Sequence, residues 1–270
     1  LDIVAKERIK QEIIKLFEGD FLNDALLEML DTGLLEEVFP FVKDIKKIPP
    51  NSHHHLDLVH HSIESTRQIR QNKPLLRLAA FYHDIGKPKC WKIEPESGRH
   101  RFIGHDEIGG KLVVKELSAL KFSKKEIEYV SKMVKNHIYP SSLAHSTGSD
   151  GQEVSNKALA RFVRKIYPDV EDLIELARAD RLSARGLAVS DKMVEDNLKN
   201  LEKLLEYYNS VKDKMETLPK LLDGREIMEI LNIKAGPKLG VIIEALKEAQ
   251  IEGIVKTKDD AVEFIKNLKL

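Results

Sequence analysis

Apolar residues recur at three- and four-residue intervals along almost all of this 270-residue chain, and that spacing restricts it to packed amphipathic helices. Ile9, Ile13, Leu16 and Phe17 mark a first helix, which Gly19 stops. A second ends near Gly33, and a short third precedes Pro40. The period predicts further helices over about 56–71, 74–86, 106–120, 124–138, 156–166 and 170–185. Ser123 and Glu126 read as a capping box, and Asp169 reads as the cap of the last of these. Val194, Leu198, Leu201, Leu205, Tyr208 and Met215 describe one long helix, and a small helical unit follows Pro219. Two stretches break the pattern. KCWKIEPESGRHRFIG (89–104) suggests a β-hairpin or a covering loop, and YPSSLAHSTGSDGQE (139–153) reads as a polar loop. The expectation is an all-α chain in three parts: a helical unit over 1–48, a helical bundle over 49–187 entered through IPPNSHHH, and a long helix with a helical tail over 188–270.

Basic and acidic residues balance at 44 each, so overall charge gives no reason to expect nucleic acid. Residues 1–48 are more acidic than basic, which argues against an RNA-gripping arm there. Cys90 is the only cysteine, which excludes an intrachain disulfide and makes a reducing compartment the default. No apolar run approaches the roughly 20 residues that span a bilayer, and no signal pattern opens the sequence. A soluble cytoplasmic protein without membrane partners is the expectation.

Chemistry enters where helical stripes meet polar residues. His83 shares a face with Leu76, Ala79 and Ala80; His137 with Ile127, Val130 and Val134; Asp180 with Leu173, Leu176 and Ala177. A lone histidine on an apolar face is usually a hydrogen-bonded core residue. Two histidines and two aspartates, Asp84 and Asp180, on three such helices are different. Buried carboxylates demand a cation, and no Lys or Arg lies on these faces. A shared divalent metal would satisfy them together. His61 or His60 can join from the helix before; periodicity alone does not choose between them.

With HH at 60–61, HDIGK at 83–87 and Asp180 in ARAD, the chain resembles the HD superfamily of metal-dependent phosphohydrolases. GH at 104–105 and NH at 136–137 are similar to the two extra histidines of its two-metal members. The resemblance favours His61, which precedes the small polar Ser62. It implies that His61, His83, Asp84, His105, His137 and Asp180 are metal ligands. Asp84 would bridge His61, His83 and Asp180 on one side to His105 and His137 on the other. AKERI, TGLLEEVFP, FIGHDEIGGKLV and GREIMEILNIKAGPKLGVIIEAL further resemble the neck, body and tail of bacterial CCA-adding enzymes and poly(A) polymerases. No Asp-x-Asp, the mark of that family's nucleotidyltransferase head, occurs in these residues, so this stretch is not expected to add nucleotides by itself.

The cofactor expectation is one or two divalent ions, Fe, Mn, Ni, Co, Zn or Mg, which mixed imidazole and carboxylate ligands suit. Two ions roughly 3.5–4 Å apart supply a water nucleophile and offset phosphoryl charge. Lys87, one turn past His83, is the expected substrate cation and a catalytic group beside Asp84. Arg178, Arg181 and Arg185 flank Asp180, and Arg181 is the expected second substrate contact. Trp91 and Phe102 can stack on a base or seal the loop onto the core. In AGPKLG, Lys234, Gly236, Lys238 and Gly240 frame a helix start whose amides suit an RNA phosphate. The expected function is an HD-type phosphohydrolase acting on a nucleotide, a 2′,3′-cyclic phosphate or an RNA-end phosphoester. The alternative is a non-catalytic tRNA-binding body partnered by a separate nucleotidyltransferase chain.

Overall fold

The computed structural model describes residues 4–49, 57–145, 155–184, 189–217, 219–251 and 253–268. They are all-α. The helices are α1 (Lys6–Glu18), α2 (Leu22–Asp31), α3 (Leu34–Val38), α4 (Phe41–Ile45), α5 (Leu58–Arg67), α6 (Pro74–Tyr82), α7 (Lys87–Cys90), α8 (His105–Ala119), α9 (Lys124–Asn136), α10 (Ile138–His145), α11 (Asn156–Ile166), α12 (Val170–Ser183), α13 (Asp191–Thr217), α14 (Gly224–Leu231), α15 (Pro237–Ile251) and α16 (Lys258–Asn267). Strands β1 (Lys92–Ile93) and β2 (His100–Arg101) pair antiparallel, Lys92 opposite Arg101, so the expected hairpin is small but present. The chain forms two compact units: Leu1–Val154 with Pro168–Leu204, and Ser155–Tyr167 with Leu205–Leu270.

In the first unit α6 is the central helix. Leu76, Leu78, Ala79, Ala80, Phe81 and Tyr82 are all buried, so it has no solvent face. The exception in that run is Arg77, and its burial has a local cause: Nη1 donates to the carbonyls of Phe17 and Gly19, both at 2.9 Å. These are orphan acceptors at the end of α1, so the cation caps one helix from inside another. Phe17, Phe39, Phe41, Phe81 and Tyr82 pack as an aromatic cluster with centroids 4.8–6.3 Å apart, which fixes α1, α3 and α4 to α6.

Helices α8 and α9 approach closely because Gly109 and Gly110 have no side chain. A Cβ on Gly109 would meet Val134 Cγ1 at 3.1 Å, and one on Gly110 would meet Lys135 Cβ at 3.0 Å. Ser123 caps α9 with Glu126 as expected. Tyr82 Oη donates to Glu116 Oε2 on α8 at 3.1 Å. Burial, against that hydrogen bond, pushes the Glu116 carboxyl up to about 7. The folded chain therefore keeps a proton that the unfolded chain has lost, and stability falls as pH rises from the ordinary carboxylate range to about 7. Glu116→Gln should be nearly neutral at pH 4 and stabilise by roughly 1–3 kcal/mol at pH 8. Chemical denaturation at both values checks this.

Four local expectations are corrected. The helix read over 74–86 stops at Tyr82, and Lys87–Cys90 form a separate short helix, with Pro88 in its first turn. A fourth N-terminal helix, α4, follows Pro40. Asp169 precedes α12 without a side-chain capping bond; its carboxylate accepts instead from Lys132 Nζ at 2.7 Å. Residues 139–145, read as loop, belong to α10, where Pro140 lies in the first turn and forfeits no helical hydrogen bond. The remainder of that stretch, with Gly148 and Ser149, lies outside the described residues, as does Arg185.

The second unit packs its own core from Leu222, Ile227, Ile242, Leu246, Ala249, Val255, Ala261 and Ile265. Capping boxes start α14 at Asp223 and α16 at Thr257. No helix among the described residues is long and apolar enough to cross a membrane.

Candidate metal centre

Six side chains on or at the ends of five helices converge in the first unit. His61 is on α5, His83 caps the C-terminus of α6, Asp84 follows it, His105 opens α8, His137 caps the C-terminus of α9 and Asp180 is on α12. They form two groups, His61–His83–Asp180 and Asp84–His105–His137, and within each the ligand atoms lie within 4.8 Å of one another. In the first group His61 Nε2 is 3.1 Å from both His83 Nε2 and Asp180 Oδ1. In the second, His105 Nε2 and His137 Nε2 are 3.2 Å apart.

Asp84 faces both groups. Its Oδ2 is 3.3 Å from His83 Nε2 and 3.8 Å from His61 Nε2. Its Oδ1 is 3.5 Å from His105 Nε2 and 4.0 Å from His137 Nε2. His60, the competitor of His61, is outside the cluster, with Nδ1 2.8 Å from Asp57 Oδ2. Asp57 caps α5 by accepting from the amides of Val59 and His60, and this sets the register that turns His61 inward.

The hydrogen-bond pattern tests whether these residues fit a cation. His83 Nδ1 donates to Ala80 O at 2.6 Å, His105 Nδ1 to Phe102 O at 2.7 Å and His137 Nδ1 to Val134 O at 2.7 Å. Each bond reaches a carbonyl three residues back and holds the proton on Nδ1, so Nε2 presents its lone pair to the cluster. Lone pairs meeting at about 3 Å have nothing to share unless a cation lies among them. Asp84 Oδ2 is buried, with the Lys87 ammonium 2.6 Å away but no hydrogen bond of good alignment. The donor set fits a divalent ion.

Electrostatics agree. Burial opposes charge on His83, but Asp84 and Asp180 outweigh it and raise the imidazole to about 9. Burial, then the neighbouring His105 and His83, lowers His137 to about 3. Burial likewise lowers His105. Burial would raise both Asp84 and Asp180; His83 and Lys87 hold Asp84 well below its usual range, and His61 and His83 do so for Asp180. The carboxylates thus demand positive charge at the Nε2 atoms, which a divalent ion would supply.

Lys87, expected at the site as the substrate cation, also pairs directly with Asp84. It is buried, and its Nζ lies 2.6 Å from Asp84 Oδ2. The apolar faces that carry His83, His137 and Asp180 hold no cation; α7 folds this one back from the next element. Arg181 is half-buried beside Asp180, its Nε without a hydrogen bond, and no described contact joins it to the six clustered residues. Arg178 is exposed. Lys234, Gly236, Lys238 and Gly240 are exposed in the second unit, at the start of α15, where Pro237 is the first helical residue.

A helical bundle with paired histidine–aspartate groups is the architecture of a metal-binding domain class, and the family model of the HD domain matches residues 51–185. The chain belongs to the HD-domain family. A second model, described as the probable RNA and SrmB-binding site of polymerase A, matches residues 1–46, the unit whose acidity had argued against RNA. Across 269 residues the chain is 29% identical to the A-adding tRNA nucleotidyltransferase of Deinococcus radiodurans, covering 98% of this chain and 59% of that protein. Across 265 residues it is 32% identical to the CC-adding tRNA nucleotidyltransferase of Thermus thermophilus, covering 97% of this chain and 56% of that protein. The chain therefore spans little more than half the length of these relatives.

Proposed function

We propose that the chain is a metal-dependent phosphohydrolase acting on a nucleotide-type phosphoester, a 2′,3′-cyclic phosphate or a phosphate at an RNA end. The supporting observation is Asp84, which turns one carboxylate oxygen to each histidine group. His61, His83 and Asp180 would hold one divalent ion and His105 and His137 a second, with Asp84 shared. Bound there, Fe, Mn, Ni, Co, Zn or Mg ions would supply an activated water and offset phosphoryl charge. The protein's own part is positioning. Asp84 fixes the spacing of the two groups, and the backbone carbonyls of Ala80, Phe102 and Val134 hold three imidazoles in one tautomer. Lys87 keeps an ammonium at the inner edge of the centre and binds a phosphoryl oxygen; Arg181 is the second cation for the substrate.

Elemental analysis, paired with a screen for phosphatase and cyclic phosphodiesterase activity, tests this. Stoichiometric metal with hydrolysis is expected; protein that takes up no divalent metal would refute it. Lys87→Ala should lower turnover about 10²-fold, the usual loss of one electrostatic donor, with metal content unchanged. If metal is lost in equal measure, Lys87 has no substrate role.

A second reading is supported by the relatives. Both are tRNA nucleotidyltransferases aligned over nearly the whole chain, and an RNA-binding model covers residues 1–46. In this reading the chain is an RNA-binding body serving a nucleotidyltransferase partner, with Lys234, Lys238 and the amides near Gly236 and Gly240 gripping backbone phosphate. Balanced charge makes the expected binding weak and salt-dependent. Lys234→Glu with Lys238→Glu should reduce the slope of log affinity against log salt by about 2. A tRNA titration at low salt without binding would remove this reading.

A further inference from the structure

We propose that Trp91, His100 and Phe102 form a nucleobase-binding subsite beside the metal centre. That a nucleotide reaches this place rests on the phosphohydrolase reading above; base binding itself stands on separate observations. A chain of contacts links the two. Lys87 Nζ is 2.6 Å from Asp84 Oδ2 and 5.3 Å from the centroid of the Phe102 ring. The Phe102 carbonyl accepts the proton of His105 Nδ1 at 2.7 Å. The His100 ring is 6.4 Å from Phe102, and the Trp91 ring is 5.7 Å from His100. A phosphate held at Lys87 thus has an aromatic cluster within one sugar's reach.

The cluster is not a sealed core. All three residues are partly exposed, and the rings are tilted by 59° and 80° to one another rather than stacked. Trp91 Nε1 and His100 Nδ1 are both buried and neither has a hydrogen-bond partner. A hairpin that only sealed the site would be served as well by Phe and Leu, without two costly unpaired nitrogens. A planar ligand with a π face would stack on the exposed parts of the rings, and by parting the short hairpin it would bring its edge acceptors to the indole N–H and the imidazole. With a phosphate attached, that ligand is a nucleotide. Lys92 and Arg99, exposed on the same hairpin, suit further phosphates.

Trp91 is the only tryptophan of the chain, so its fluorescence reports this subsite directly. The full chain is titrated with each of the four nucleoside 3′-monophosphates and with ribose 5-phosphate. Saturable quenching by nucleotides and none by the base-free sugar phosphate is expected. His100→Ala and Phe102→Ala should each weaken nucleotide binding about tenfold, the scale of one lost stacking contact, with melting temperatures close to that of the parent. The proposal falls if no nucleotide quenches, if ribose 5-phosphate gives the same saturable change, or if both variants bind like the parent. Quenching by a protein that hydrolyses no phosphoester would support the subsite while overturning the hydrolase reading.

Discussion

Asp84→Ala should remove bound metal and hydrolysis together. The substitution takes away the one carboxylate that faces both histidine groups, with its oxygens 3.3 Å from His83 Nε2 and 3.5 Å from His105 Nε2. The second group is left with two neutral imidazoles, and the first keeps Asp180 as its single carboxylate, too little charge to hold a divalent ion tightly. It also strands Lys87, buried with an ammonium that has lost its counter-ion. Uncompensated buried charge costs about 3–5 kcal/mol, so the variant should also melt earlier. Asp84→Asn separates the effects, since it keeps the volume and removes the charge. Metal content and turnover should fall in both variants. Wild-type metal content in Asp84→Asn would show that Asp84 is not a ligand.

Gly86→Ala should be nearly as damaging, for a reason unconnected with charge. The backbone of Gly86 is ordinary right-handed, so alanine suits its conformation. Space is the obstacle. A Cβ there would lie 2.0 Å from the carbonyl oxygen of His105 and 2.8 Å from the amide nitrogen of Gly109. Backbone atoms cannot swing aside as a side chain can, so the turn before α7 and the start of α8 must separate. The expected loss is about 3 kcal/mol or more, at the upper end for overpacking. His105 moves with α8, so metal content should fall while His61, His83 and Asp180 stay in place. Thermal unfolding and elemental analysis read the two effects. A melting temperature equal to that of the wild type would contradict the close approach.

The helices that bring the cluster together were legible because periodicity is a property of single helices. His83, His137 and Asp180 each interrupt an apolar stripe, and the burial of those stripes carries the residues inward. The choice of His61 over His60 was not legible from period; it needed the family resemblance, and the structure adds Asp57 as the cap that sets the register. Contacts between elements were hidden. Lys87 reaches Asp84 only because a second short helix begins five residues after Tyr82, and a proline after a helix end reads as a stop rather than a restart. Asp169 has the residue type and position of a cap, yet Lys132 from another helix claims its carboxylate. Pro140 and the serines after it signalled a loop because composition does not tell a first helical turn from a break.

His83, His105 and His137 each give their Nδ1 proton to a main-chain carbonyl of their own neighbourhood. In many metal sites that role belongs to an outer carboxylate or amide, which one nucleotide change can delete. A carbonyl cannot be deleted by exchanging one residue for another. The tautomers here are therefore sheltered from sequence drift in every surrounding side chain, and only a change in the path of the backbone can release them. Random mutagenesis around the centre should accordingly yield loss-of-metal variants at two kinds of position: the ligands themselves, and the residues that shape the three turns ending in Ala80–His83, Phe102–His105 and Val134–His137.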